Sequence, residues 1–303
     1  MNTTKILLII TAALGLVISS CDYVIDPEEV TVGGGGGGTG TSDTIIIDSV
    51  RRVFLEDYTG HKCTACPNAA LAATAIKGTY GDSVVVVGVH AGFFATPNSS
   101  GTQYLENFQT TAGTAYDTYF GISSVGNPNG MVNRKDYDGT TTNHVKSYGS
   151  WAAEVAAELA KRPTAGIQII NSYNSSTRVL NCTVKSVFLY DTLSQGPYNL
   201  VVMMMQDSII ADQLVLGVYT NPYVHQHVLR DNLNGTWGEN VGTAGSIVAG
   251  NISTKSYSYT LPAAYPGSGS GTTACNENQC YVIAFIYNDV TKEVIQVQEQ
   301  KIK

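Results

Sequence analysis

The sequence predicts an α/β domain followed by an all-β domain of the sandwich type, both carried behind an exported, tethered N-terminus. Three observations predict it. A charge-free apolar run near the start leads to a cysteine and then to six consecutive glycines. Between residues 51 and 89, a strand-like run, a Cys-x-x-Cys loop, an alanine-rich stretch and a second strand-like run follow one another. From residue 164 onward the texture changes to short apolar runs separated by turn residues.

The N-terminal elements come first. Ile6 to Ile18 is apolar and uncharged. A spanning helix needs roughly 20 apolar residues, so residues 1–20 read as a secretory signal. Ile18-Ser19-Ser20-Cys21 resembles a bacterial lipobox, in which the thiol is lipidated and the chain is cut just before it. Cys21 is therefore the expected lipid anchor, and the membrane a partner through that lipid. Residues 21–43 place Asp22, Asp26, Glu28 and Glu29 ahead of Gly33 to Gly38 and read as a tether. The acidic residues there serve as solvated spacer or as a sorting signal.

About 260 residues remain, enough for one large or two ordinary domains. A hydrophobic fraction of 43% supports real cores, while charged residues make up only 14%, well below the usual quarter. The net charge is −7. No basic cluster interleaves with aromatic residues, so nucleic acid is not an expected partner. No cofactor is expected either.

The first domain is assigned to residues 44–163. Ile45 to Ile47 and "RRVFLEDY" at 51–58 read as strands. "CPNAALAATAIKG" reads as a helix, with Pro67 in the first turn, where a missing N–H costs nothing, and Gly78 as its stop. Val84 to Val89 is a continuous apolar run of the buried parallel type. "SWAAEVAAELAKRP" closes the domain as a helix between Ser150 and Pro163. Residues 91–124 form an insertion whose helical stretches are expected to cover the cysteines. In this setting Cys63 and Cys66 lie at a helix N-terminus, where free N–H groups stabilise a thiolate. Cys63 is expected to be exposed, and Cys66 shielded by the first turn. His61 and Lys62 add possible positive charge.

These residues resemble the thioredoxin superfamily. The resemblance implies a thioredoxin-like domain and a role for Asp57, six residues before Cys63, as acceptor of the second cysteine's proton. It also implies a cis-proline facing the cysteines, for which Pro128 in "VGNPNGMVNR" is the candidate, with Asn127 offering its backbone to a substrate. Two departures stand out. Lys62 occupies the place of the usual tryptophan, and Thr64-Ala65 lacks the usual proline.

The second domain is assigned to residues 164–303. Its runs, among them "RVLNCTVKSVFLYD", "YNLVVMMMQDSII" and "CYVIAFIYND", have the strand spacing of an immunoglobulin-like sandwich. Met203 to Met205 read as core and edge residues. His225 and His227 share a face on an extended backbone without a third partner, so no metal site is assigned and packing is the expected role. Cys275 and Cys280 flank "NENQ" and, in an oxidising compartment, are expected to form a structural disulfide. Cys182 reads as buried and inert.

Taken with "VGVHAG" and "HQHVLRDNLNGTWGE", the whole pattern resembles the outer membrane protein 28 family of bacterial lipoproteins. That resemblance implies a location in the cell envelope, at the outer membrane. Three readings of the Cys63–Cys66 pair stay open: thiol–disulfide exchange on exported proteins, a permanent disulfide in a binding or adhesion scaffold with cell-surface partners, and a zinc site completed by His61 or His90.

Overall fold

The computed structural model describes residues 28–31, 44–47, 50–139, 143–190, 196–265 and 272–303. The signal segment and the Cys21 anchor lie outside the described residues. Among these residues no helix is long and apolar enough to cross a membrane.

The strands are β1 (Glu28–Thr31), β2 (Thr44–Ile47), β3 (Val53–Thr59), β4 (Val84–His90), β5 (Asn129–Val132), β6 (Ala165–Asn174), β7 (Val179–Phe188), β8 (Tyr198–Gln206), β9 (Ile209–Val215), β10 (Val218–His225), β11 (Val228–Asn232), β12 (Glu239–Gly242), β13 (Ile252–Thr260), β14 (Ala264–Tyr265), β15 (Thr273–Ala274), β16 (Cys280–Asn288) and β17 (Val294–Lys301). The helices are α1 (Cys66–Tyr80), α2 (Thr111–Phe120), α3 (Ile122–Val125) and α4 (Trp151–Leu159). The architecture is mixed α/β, with much sheet and few helices.

An eight-stranded sheet of order β17-β16-β8-β11-β4-β3-β5, with β12 also on β8, runs through the molecule. It takes β3, β4 and β5 from before residue 164 and the other five strands from after it. The expected boundary at 163/164 therefore does not separate two sheets. The join is the parallel pairing of Val228 in β11 with Gly88 in β4, reinforced where the Gly88 N–H donates to the His227 carbonyl at 2.7 Å. The sheet also curls until its ends approach. The Val294 N–H donates to the Asn133 carbonyl at 2.8 Å, and the Arg52 N–H to Gln296 Oε1 at 2.9 Å.

Curling gives the sheet an inner and an outer face. Alternation along each strand sends Phe54, Tyr58, Val87, Met203, Met205 and Phe285 inward, where α2 closes the space with Tyr116 and Phe120. Phe54 stacks on Phe285 with ring centroids 4.8 Å apart, tying the two halves together. Outward, Val53, Leu55, Val84 and Val86 pack under α1 and α4. Farther along the same face, Leu200, Val202 and Met204 pack against Ile167, Cys182 and Val184 of the sheet β13-β7-β6. The two sheets are thus packed face to face, and one of these two layers is the sheet shared with the N-terminal half. The three consecutive methionines all serve the core, on alternating faces.

Several local expectations shift. α1 passes through the exposed Gly78 and ends at Gly81, whose φ of 55° takes the C-cap. Ser150 flanks α4 without a side-chain cap bond to it; its hydroxyl donates to the Ser147 carbonyl instead. Residues 28–31 of the expected tether form a strand against β2. Ile45 and Ile47 of β2 pack with Val187 of β7, on the β-rich half rather than with β3. Gly130 marks a required close approach: a Cβ there would lie 2.2 Å from the Glu56 carbonyl and 2.6 Å from the Trp151 ring.

Candidate functional site

The parallel pair β3–β4 and the crossover α1 bring the cysteines to the end of β3. Cys63 closes a turn in which its N–H donates to the Gly60 carbonyl at 3.0 Å. Cys66 opens α1, with Pro67 behind it. The two sulfurs are joined in a disulfide. Both are thereby committed to each other, and the zinc reading loses its two sulfur ligands.

Burial differs from expectation. Cys63 is only 2% exposed and Cys66 1%. The helices α2 and α3 of the insertion pack on the inner face of the sheet, so the main cover over the Cys63 loop comes from elsewhere. It is the β9–β10 hairpin. Gln213 Nε2 donates to the Cys63 carbonyl at 3.0 Å, the Leu214 N–H to the His61 carbonyl at 2.8 Å, and the Leu216 N–H to the Thr64 carbonyl at 3.0 Å. On the other side the Lys62 N–H donates to the Phe94 carbonyl at 3.0 Å. Asp212 clasps the hairpin to the insertion, accepting from the Tyr104 N–H at 2.5 Å and the Tyr219 hydroxyl at 2.8 Å.

Cys66, rather than Cys63, opens onto free space. A cavity of about 300 Å³ lies between α1, β4 and the segment Tyr223–His227, and it is lined by Cys66 and Asp57 together. Asp57 is buried, and one carboxylate oxygen has no hydrogen-bond partner. Burial pushes its pKa up to about 7. Asp57 therefore switches between acid and carboxylate near neutral pH, beside the second cysteine. That is the property required of the expected proton acceptor.

The charges around Cys63 are fewer than expected. Burial, and then the Lys62 charge, push the His61 pKa down to about 4, so His61 is neutral at pH 7. The Lys62 ammonium lies 5.8 Å from the Phe93 ring centroid and 3.5 Å from Asn98 Oδ1. The Asn127–Pro128 bond is cis, in the expected place. Pro128 leads into β5, where Tyr58 pairs with Asn129. It is absent from the residues lining the cavity, so Asp57 and Cys66 share that space without it.

The remaining candidates take other roles. Cys275 and Cys280 are thiols with sulfurs 3.8 Å apart, whereas a disulfide bond is about 2.04 Å long. The expected bridge is not formed; the Cys280 thiol donates to the Asn276 carbonyl at 3.2 Å. The neighbouring Cys280 sulfur lowers the Cys275 pKa, helped by Arg178 and Arg230 and opposed by burial. Burial pushes Cys182 up to about 12, matching an inert thiol. His225 and His227 part ways: His225 Nε2 lies 3.1 Å from the Asp212 carbonyl, and His227 Nδ1 lies 3.1 Å from Asp207. Among the described residues no group of three His, Cys, Asp or Glu side chains could hold a metal ion.

Sequence reasoning missed Gln213 as a member of the site. It also passed over the buried pair Glu56–Arg134, in which the guanidinium holds both carboxylate oxygens at 2.7 Å. Two acidic residues, Glu56 and Asp57, set inside the otherwise apolar run Val53–Tyr58 were the available signal.

Comparison with known proteins adds the family. A family model described as outer membrane protein Omp28 matches residues 113–303. The match begins within α2, so it includes Pro128 and leaves out Asp57, Cys63 and Cys66. HBP35 of Porphyromonas gingivalis superposes with a TM-score of 0.62 at 17% identity, over 84% of this chain and 76% of that one. This is a likeness of fold. A domain of the outer membrane lipoprotein Omp28 from Porphyromonas gingivalis gives a TM-score of 0.32 at 23% identity, over 46% of this chain and 89% of that one. A protein of Agrobacterium tumefaciens gives 0.48 at 11% identity, over 84% and 96%. No curated protein matches the chain.

Proposed function

The chain belongs to the Omp28 family of outer membrane proteins, and from that premise we propose that it is a lipid-anchored envelope protein that carries out thiol–disulfide exchange on exported proteins. The family puts it in the cell envelope, at the outer membrane. The observation that carries the exchange reading is the cavity shared by Cys66 and Asp57, where a carboxyl that titrates near pH 7 lines the same space as a cysteine of a Cys-x-x-Cys disulfide. The order β4-β3-β5, with α1 crossing from β3 to β4, supports reading this half as a thioredoxin-like unit. In this reading it shares its sheet with an immunoglobulin-like sandwich.

In the exchange reading the reduced Cys63 thiolate attacks a substrate disulfide, and one substrate sulfur leaves as thiolate. Cys66, deprotonated by Asp57, then attacks Cys63, re-forming the Cys63–Cys66 bond and releasing the second substrate thiolate. Pro128 borders the substrate backbone. The β9–β10 hairpin must lift for Cys63 to be reached. That cover also favours the competing reading, a permanent disulfide inside a binding or adhesion scaffold.

One experiment separates them. After mild reduction, iodoacetamide should modify Cys63, and Gln213→Ala should speed that reaction by loosening the hairpin. Cys66→Ser should trap envelope proteins on Cys63 as mixed disulfides, and Cys63→Ser should trap few. If both thiols resist alkylation in the wild type and in Gln213→Ala, and Cys66→Ser captures nothing, the scaffold reading stands. The anchor is checked separately: Cys21→Ser should move the protein out of the membrane fraction, and unchanged attachment would refute the lipobox.

A further inference from the structure

The cavity beside α1 contains more than proton transfer needs. Its walls are apolar at Pro67, Ala70, Leu71, Val86, Tyr223 and Val224. Its mouth is apolar too, since Leu71 is 68% exposed and Val224 46%. Asp57 and His90 supply polar groups in its lining. Neither ring nitrogen of the buried His90 makes a well-formed hydrogen bond, although the Gly88 backbone acts on the ring, and one oxygen of Asp57 has none. Buried polar atoms without partners are costly, and a mostly apolar pocket with a few convergent polar groups is the form small-molecule sites take.

Gly88 keeps this space open. It lies between Val86 and His90 on the face of β4 that lines the cavity. The atoms nearest to a Cβ built there belong to the Gln226 and His227 backbone, at 3.4 Å and beyond. The strand would accept a side chain, and that side chain would occupy the cavity.

We propose that this cavity binds a small, uncharged, ring-sized molecule, largely apolar, whose single hydroxyl or carbonyl hydrogen-bonds to Asp57 and His90. A volume of about 300 Å³ is at the small end of ligand pockets and suits one ring with a short substituent. The polar groups select against charge. Burial, and then the neighbouring His225 and His61, hold the His90 pKa well below its usual value, so the ring is neutral. The Asp57 acid can donate, and a neutral imidazole can donate or accept. An occupant would also compete for the proton Asp57 takes from Cys66. That consequence rests on the exchange reading; the binding itself does not.

The test uses the oxidised protein, so it is independent of exchange. p-Cresol should bind saturably, with a dissociation constant on the order of a millimolar, read by saturation-transfer NMR. Toluene, which lacks the hydroxyl, should bind roughly tenfold more weakly. Gly88→Val and, independently, Ala70→Phe should abolish binding while the circular dichroism of the folded protein is retained. Absence of saturable p-cresol binding to the wild type overturns the proposal. So does binding that persists in whichever of the two variants folds. Equal affinity for toluene and p-cresol overturns the assigned role of Asp57 and His90.

Discussion

Glu56→Ala should lower the free energy of unfolding by about 3–5 kcal/mol, the usual cost of stranding one member of a buried ion pair. Glu56 faces inward from β3 and is fully buried, as is Arg134. Burial disfavours the guanidinium charge, yet Glu56, helped by Tyr116 and Tyr58, more than offsets it and the Arg134 pKa is raised. The guanidinium also lies 4.3 Å from the Tyr116 ring centroid and 4.9 Å from that of Phe285. Arg134 thus joins a strand of the N-terminal half, a helix of the insertion and a strand of the C-terminal half. Among the described residues Glu56 is the acidic side chain paired with Arg134, so its removal leaves the buried guanidinium without that counter-charge. Urea denaturation of the oxidised protein measures the loss. The double variant Glu56→Leu with Arg134→Met should recover most of it, because no charge is left stranded. A loss below about 1 kcal/mol in Glu56→Ala would mean that water or another group reaches the guanidinium.

Much of this architecture could be read in the chain. The strand–loop–helix–strand order around Cys63 comes from local pattern, and local pattern is what a sequence displays; Asp57 and the cis-proline at Pro128 come from the resemblance that this order carries to the thioredoxin superfamily. The run "LVVMMM" showed less: its methionines read as core and edge residues, whereas all three are buried, because the strand is covered on both sides. What stayed hidden is long-range. Nothing in "VLRDN" says that β11 will pair in parallel with β4, and that pairing makes one sheet of two expected domains. The cover over Cys63 was hidden for the same reason. Gln213 lies 150 residues from Cys63 in sequence, and nothing in its own segment points back to that loop. Cys275 and Cys280 were assigned from compartment and spacing, neither of which fixes which way a thiol turns.

Asp57→Asn should stabilise the oxidised protein at alkaline pH and, in the exchange reading, slow its turnover. The two effects have one cause. Burial raises the Asp57 pKa from its ordinary 3.8 to about 7, so the folded state holds this proton more tightly than the unfolded chain. The stability linked to that proton is fully present below about pH 4, declines as pH rises toward 7 and is gone above it. A displacement of this size corresponds to about 4 kcal/mol. Asparagine carries no charge to desolvate. Asp57→Asn should therefore match the wild type near pH 4 and gain on it progressively, reaching about 2–4 kcal/mol at pH 8. Tyr223 and His90 line the same cavity. Burial, and then the Asp57 charge, raise the Tyr223 pKa, while His90 is held neutral, so neither supplies a compensating cation. For exchange, the carboxylate must take the Cys66 proton, so wild-type turnover should rise with pH through about 7. In Asp57→Asn that rise should vanish, with turnover at pH 7 lower by roughly a hundredfold. Denaturation curves from pH 4 to 8 and turnover of a model disulfide over the same range read the two effects separately. If wild type and variant keep a constant stability difference from pH 4 to 8, Asp57 does not titrate in that window. A flattened stability profile with unchanged turnover would leave the buried acid in place and remove it from the exchange step.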